Sequence, residues 1–576
     1  MKNILSTIAV IFLFINVTTN AQDITNTLGS LGTFSIKDDY GTYLSLNSIN
    51  GNLSLSYSLS IPTTTNLGLG VIYKGTDRFI HDYHNYSTTG ENIFMGINSG
   101  NFTMGSGGGG DVASYNTGVG TQTLYSLTSG FWNSAFGYKS LLSNTDGYQN
   151  SAFGAYSLYY NTTGYINCAF GYQALLLNST GSQNSSFGYQ ALTSNMDGNQ
   201  NSAFGSGALR SGNSGSNNAA FGFNSLYNNV VSNNSAFGSQ SLYNNITGIS
   251  NSAFGFQSLY TNSTGYNNSA FGGASLYSNT TGIGNSAFGF NSLVSNAIGH
   301  NNSAFGTFAL QNNLSDYNSA FGFNALYANT SGYSNSAFGW NSLRFSEGVG
   351  NTAVGTESLF NKTTGDGNTS VGYFAGYNIT SGNNNITIGY DAQVPSNTGS
   401  NQVRIGNSSI NYAGIQVSWT VTSDRRWKEN VQPTNLGLNF ISELNPVSYT
   451  RKNDENQKTE YGLIAQEVEQ ILEEEGIENT GLLNVTDEGM YELRYNDLLA
   501  PMIKAIQELK EEKDFEIAKL NEENEILKSE VENLQSLKKE FTDLQELKSE
   551  LINQINILRE KNSEEKIKFS SIESEK

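Results

Sequence analysis

The residues of this chain that could do chemistry are few, and one pair stands apart. Ser423 precedes Lys428 by five residues, within Val421-Thr422-Ser423-Asp424-Arg425-Arg426-Trp427-Lys428-Glu429-Asn430. A hydroxyl and an amine are residue types able to act as a nucleophile and its base, but the spacing alone is a weak signal. Ser423-Asp424 equally suits the cap of a short helix, with the serine oxygen accepting a backbone N–H. Elsewhere chemistry is scarce. From 133 to 346 only Lys139, Asp146, Asp197, Arg210, Asp316 and Arg344 are charged, so the paired carboxylates of a glycosidase are missing there. Cys168 is the one cysteine, which excludes an intrachain disulfide framework and a CxxC metal site. It stands in Asn-Cys-Ala-Phe, where other copies of the same string carry serine, and reads as a packing substitution. No cofactor and no metal are expected.

The elements that must position the pair differ sharply in composition. Of 576 residues, 62 are glycine and 5 proline, and charged residues make up 14% of the chain, yet its formal net charge is −20. Residues 423–576 hold 35 of the 49 acids and 20 of the 29 bases, or −15 of the −20. The acidic balance argues against nucleic acid and anionic membrane surfaces as partners. At the other end, Lys2, an apolar run from Ile4 to Val17 and Thr19-Asn20-Ala21 have the order of a cleaved secretion signal. The run is shorter than a membrane span needs. The expectation is a signal peptide over 1–21, a mature chain from Gln22 with no transmembrane segment, and a secreted or cell-surface location.

Between these ends runs one repeat. Asn-Ser-Ala-Phe-Gly recurs with its aromatic at Phe136, Phe153, Phe170, Phe187, Phe204, Phe221 and onward to Phe338. A leucine follows five positions later (Leu141, Leu158, Leu175) and usually a glycine eleven positions later (Gly147, Gly164, Gly181). The period of 17, with an occasional 16, is too short for a helix hairpin. Ser-Ala-Phe alternates as a strand does and Asn-x-Thr-Gly is turn chemistry. Each repeat therefore reads as one coil of a parallel β-solenoid. About seventeen coils stacked at ~4.8 Å would make a rod roughly 80 Å long. Phe and Leu are expected to stack as internal ladders. The Ala column would then face outward, small enough for close packing against another chain. One Phe and one Leu per coil form a thin core, which favours an oligomeric rod. The many Asn-x-Thr and Asn-x-Ser triplets are repeat turns first, and glycosylation sites only where the compartment allows.

Iterated over residues 95–410, Asn-Ser-Ala-Phe-Gly-x-x-Ser resembles the head repeat of trimeric autotransporter adhesins of the YadA type, a left-handed parallel β-roll built from three chains. It departs from that family in its 17-residue period and in carrying Phe where Ile is more typical. The stretch from Ser423 resembles the Ser-Asp-x-x-x-Lys start of the self-cleaving intramolecular chaperone behind phage endosialidase tail spikes. Further blocks follow in order: Leu444-Asn445-Pro446-Val447-Ser448-Tyr449, Tyr461-Gly462-Leu463-Ile464-Ala465-Gln466-Glu467-Val468, and the run from Tyr495 to Leu509. The resemblance implies a trimer-folding clamp that cuts its own chain on assembly. Ser423 would be the nucleophile, Lys428 the general base, and the cut would fall between Thr422 and Ser423. Lys428 must then lose its proton near neutral pH, which calls for burial or a cationic neighbour. Arg425 and Arg426 are close enough in sequence to contribute. Trp427 stands where an aliphatic residue is more usual.

From Leu498 apolar residues recur at three- and four-residue steps: Met502, Ile506, Leu509, then Leu520, Leu527, Val531, Leu534, Leu537, Phe541, Leu544, Leu551, Ile555 and Leu558. Glu and Lys fill the remaining positions. The pattern predicts a coiled coil over 498–560, with Asn524 at a core position and a phase shift near Leu534–Leu537. Three strands are what both resemblances imply.

The expected organisation is a signal peptide (1–21), a β-rich segment (22–94), the repeat rod (95–410), a linker (411–422), an α+β chaperone or autoprotease-like domain (423–510), the coiled coil (498–560) and a charged tail (561–576). The fold class is mainly β. The functional expectation is an exported homotrimeric adhesin or tail-fibre-like structural protein. Its partners would be its own copies and a glycan or another cell's surface, and its enzymatic activity at most a single-turnover Ser-Lys autoproteolysis. The competing reading is a tail-spike-like protein that binds or degrades polysaccharide.

Overall fold

The computed structural model describes residues 33–573 except 39–40, 48–52, 56–60, 65–69, 106–108, 213, 362–363, 418, 453, 479 and 534–537. The expected signal peptide therefore lies outside the described residues. The chain divides into two compact units, Met1–Tyr317 and Asn318–Lys576.

The first unit opens with a three-stranded antiparallel sheet, Thr33–Asp38, Gly41–Asn47 and Leu53–Leu55. A hairpin, Ile72–Lys74 with Asp77–His81, pairs antiparallel to Ile93–Met95. From there every pairing is parallel. Ile93–Met95 meets Thr117–Val119, which meets Ser134–Phe136, and the ladder continues coil by coil to Ser303–Phe305. Each coil supplies one three-residue strand in exact columns: Ser134, Ala135 and Phe136 lie against Ser151, Ala152 and Phe153. The second unit begins with the same coil. Ser319–Phe321, Ser336–Phe338, Thr352–Val354, Thr369–Val371, Ile386–Ile388 and Val403–Ile405 pair in parallel. The protein is thus a parallel β-solenoid followed by a small α+β region.

The sidedness of the strand is the reverse of the sequence expectation. The Ala column, Ala135, Ala152, Ala169 and their successors, is completely buried, whereas the Phe column is only half-buried. The interior of a coil is narrow, and Leu141, Leu158 and Leu175 fill it from the opposite side of the turn at 0% exposure. A methyl group is what fits across from them. The Phe rings are left to stack on one another outside, with centroids 4.4–5.0 Å apart from Phe136 to Phe305. The Ala column is therefore not a face for another chain; the Phe column is the apolar face left open.

Two buried asparagine ladders supplement this thin apolar core. Asn133 donates Nδ2 to the Gly147 carbonyl at 2.9 Å, and its Oδ1 accepts from the backbone N–H of Asn150 in the next coil at 3.1 Å. A second ladder runs through Asn144 and Asn161, joined Nδ2 to Oδ1 at 2.7 Å. Buried amides whose donors and acceptors are all used rigidify a core rather than weaken it. The same burial bears on the triplets. Asn161, Asn178, Asn245, Asn262 and Asn279 each head an Asn-x-Ser/Thr sequence and each is inaccessible, so the folded coil does not present them to a glycosylating enzyme.

Coil stacking also fixes where glycine is required. Gly137 has φ +125°, and a Cβ there would lie 2.7 Å from the Gly154 backbone of the next coil. The leucines at the turn adopt the left-handed region too, with φ near +50° at Leu141, Leu158 and Leu175.

The α+β region follows the last coil. It contains α1 (Leu438–Glu443), a hairpin of Val447–Thr450 with Thr459–Gly462, α2 (Ala465–Glu474), a second hairpin of Leu483–Val485 with Tyr491–Leu493, and then α3 (Leu499–Asn533) and α4 (Lys538–Glu573). Its core is Phe440, Val468, Leu472, Leu482 and Leu498, with Leu444, Leu463 and Leu493 packed around it. No helix among the described residues is long and apolar enough to cross a membrane.

Candidate functional site

Each of the three sequence blocks of the α+β region contributes to this core. The first gives Leu444 and the strand Val447–Thr450, the second the strand Thr459–Gly462 and Val468 of α2, and the third Leu498 and the start of α3. Polar bonds tie them together. Tyr495 Oη accepts the Leu463 N–H at 2.9 Å, and Glu508 of α3 accepts the Leu438 N–H at 2.7 Å, capping α1. That bond, with Lys504 at 3.3 Å, holds the Glu508 carboxyl below the usual range.

Ser423 stands two residues ahead of a single 3-10 turn, Arg425–Trp427. Asp424, not Ser423, caps this turn: its Oδ1 accepts the Arg426 N–H at 2.8 Å. The Arg426 guanidinium returns to the same carboxylate at 2.6 Å. This side chain first, and the backbone bond second, keep the Asp424 carboxyl below its ordinary range. The chain leaves the turn at Lys428 in an extended conformation, with its N–H bonded to the Arg425 carbonyl at 3.0 Å. One turn thus covers the five-residue spacing, and Lys428 Nζ donates to Ser423 Oγ at 2.7 Å.

The cap that Ser423 suited as an alternative is therefore made by its neighbour, which leaves the serine hydroxyl to the lysine. The charge that Arg426 was expected to lend Lys428 is paired with Asp424 instead. Burial is missing as well. Ser423 and Lys428 are both exposed, Trp427 is 83% exposed and Val421 76%. Upstream, Ile415, Val417, Trp419 and Val421 alternate along an exposed segment. A cleft of about 320 Å³ in the same region is lined by Leu463, Ile464, Gln466, Met490, Tyr491 and Tyr495, and includes neither member of the pair.

A family model described as the chaperone of endosialidase matches residues 423–477, beginning at Ser423 itself. The first part of the α+β region thus carries a match to the chaperone of endosialidase, set behind a β-solenoid. No curated protein and no solved structure matches the chain.

Sequence reading missed one set of contacts in this region. Arg404, Pro395 and Asn397 of the last coil bond to Glu492 and Asp487 of the second hairpin. Their signal was visible as an arginine in the alanine column.

Proposed function

We propose that the protein is an exported, homotrimeric fibrous adhesin or tail-fibre-like protein whose C-terminal domain drives trimer folding and cuts the chain once, between Thr422 and Ser423. The carrying observation is the 2.7 Å hydrogen bond from Lys428 Nζ to Ser423 Oγ at the first residue of the chaperone match. In the cut, neutral Lys428 takes the Ser423 hydroxyl proton as Oγ attacks the Thr422 carbonyl. Lys428 returns that proton to the Ser423 nitrogen as the peptide bond breaks, leaving an ester between the Thr422 carbonyl and Ser423 Oγ, which water then hydrolyses to the Thr422 carboxylate and the free hydroxyl. In the single chain the lysine is exposed to water. Packing of further copies over Trp427, Val421 and Trp419 would remove that water and favour the neutral amine. Cutting is thereby linked to assembly.

Two apolar faces support self-association. One is the Phe column of the solenoid. The other is the stripe along α3 and α4, where Met502, Ile506, Leu509, Leu527, Leu551 and Leu558 are exposed. Helices of 35 and 36 residues with such a stripe suit a coiled coil. The phase shift expected near Leu534–Leu537 falls outside the described residues. Exposed Tyr and Phe beside Asn and Ser on the coils suit contact with a surface glycan.

Denaturing electrophoresis of the purified wild type beside Ser423→Ala and Lys428→Ala tests the reading. A fragment of about 150 residues, released by the wild type and absent from both variants, is the expected outcome. An uncut wild type would reduce the domain to a folding clamp.

A further inference from the structure

The inner strand column of the solenoid changes character at its C-terminal end. It is alanine through Ala320, Ala337 and Ala353, then Ser370, Thr387 and finally Arg404. An arginine cannot continue a column in which every earlier side chain of this unit is fully buried. Arg404 marks the place where the core must stop. The inner asparagine ladder ends in the same coil. Asn385 is followed by Gln402, whose Nε2 folds back on the carbonyls of Ser396 and Gly399 at 2.8 and 2.7 Å. Pro395, the only proline between residues 95 and 410, lies in this coil as well.

Each feature of that ending except the glutamine is met by one element of the chaperone domain, the hairpin Leu483–Val485 with Tyr491–Leu493. Glu492 binds Arg404 Nη1 at 2.7 Å and is held from its other oxygen by Asn484 Nδ2 at 3.0 Å. Asp487, in the hairpin loop, donates its backbone N–H to the Pro395 carbonyl at 2.7 Å, and its Oδ2 accepts the Asn397 N–H at 2.7 Å. Asn397 in turn offers its carbonyl to Thr380 of the preceding coil at 2.9 Å. These contacts span about 90 residues of sequence and bypass the linker.

We propose that this hairpin is the terminal cap of the solenoid, a docking surface that holds the chaperone domain on the last coil without need of the covalent connection through 411–422. A bare solenoid end is an open edge that invites strand addition. The hairpin closes it and presents the last coil with a fixed partner, so that coil stacking can start from an ordered end. A chain severed in the linker keeps its two parts together. The domain is then a retained end-piece of the mature protein rather than a discarded one.

The test does not depend on self-cutting. A site for a specific protease is inserted between Gly414 and Ile415 of the full-length protein, in the exposed segment ahead of the turn. The chain is then cut and followed on denaturing gels and by native size exclusion. The two fragments are expected to separate under denaturing conditions and to co-elute natively. Glu492→Lys should release at least tenfold more C-terminal fragment, and Arg404→Glu combined with Glu492→Lys should restore retention. Fragments that separate natively in the otherwise wild-type chain would overturn the proposal. Retention that is indifferent to Glu492→Lys would place the attachment elsewhere and overturn it equally. Failure of self-cutting appears only on the denaturing gel of the uninserted protein, so the two readings fail separately.

Discussion

Lys428 reaches Ser423 because Asp424, the first of the four residues between them, closes the turn and draws Arg426 away. In the first unit another single side chain is equally committed. His81 packs against Phe94 and Phe102, with ring centroids 4.9 Å from each. Its Nε2 donates to the Ser99 carbonyl at 2.7 Å while Nδ1 accepts the Tyr83 N–H at 3.3 Å. Both nitrogens are therefore satisfied in the neutral ring. Burial is the main cause that pushes its pKa down to about 4, with Arg78 adding to the effect and the Ser99 carbonyl and Asp82 opposing it. The folded value lies below the unfolded one of about 6.5, so His81 adds no pH dependence above 6.5. As pH falls from 6.5 towards 4 the unfolded chain takes up a proton that the folded chain refuses. The first coils should lose stability over that window, by an amount on the order of 3 kcal/mol in full. Thermal unfolding at pH 7 and pH 4.5 should show a larger drop for the wild type than for His81→Gln. Equal drops would mean that other groups govern the acid response.

At the scale of one coil, the turn depends on a leucine that is both buried and left-handed. Leu226 is 0% exposed with φ 50°. A γ-branched side chain tolerates that backbone, whereas a β-branched one is a genuine outlier there. Leu226→Ile keeps volume and hydrophobicity, yet should destabilise its coil by roughly 2–3 kcal/mol, the left-handed penalty plus misfit. Leu226→Met should cost under about 1.5 kcal/mol. Amide exchange of the coil around Leu226 reads the difference, and equal protection in the two variants would remove the backbone argument. The coil also shows what a sequence makes legible. The period, the strand at Ser-Ala-Phe and the parallel stacking follow from columns that stay in phase. Which side of the strand faces inward does not: alternation says that Ala and Phe oppose each other and is silent on the sign. Size suggested Phe inside, but the space opposite Leu141 admits only a methyl group. The asparagine ladders were hidden for a related reason, because Asn-x-Thr-Gly is turn chemistry whether its amide faces water or core. At the Ser423–Lys428 pair, spacing and residue types were readable. That Asp424 would take the cap was not, since Ser423 is an equally good capping residue.

For the whole molecule, the inverted sidedness relocates the surface by which copies would meet. Had the Ala column faced out, chains would approach closely along a smooth strand face. With Ala buried, the outward side of the strand is the half-buried, stacked Phe column, and exposed rings such as Phe223, Phe256 and Phe290 follow its members two residues on. Stacked aromatic rings repeated from coil to coil are a surface suited to a protein contact. Trimers in which the Phe columns face a common axis would remove it from water. The consequence is measurable with one engineered thiol. In a Cys168→Ser background, Phe254→Cys should be joined between chains by a short bis-maleimide, whereas Tyr260→Cys, in the neighbouring Tyr243–Tyr260–Tyr277 stack, should not. Both variants keep the buried Ala, Leu and Asn columns intact, so the coil itself is expected to survive in each. Linked species from Tyr260→Cys alone would turn the interface onto the tyrosine face. Linkage from neither would confine self-association to the C-terminal helices, and the Phe column would then be a surface open to a different partner.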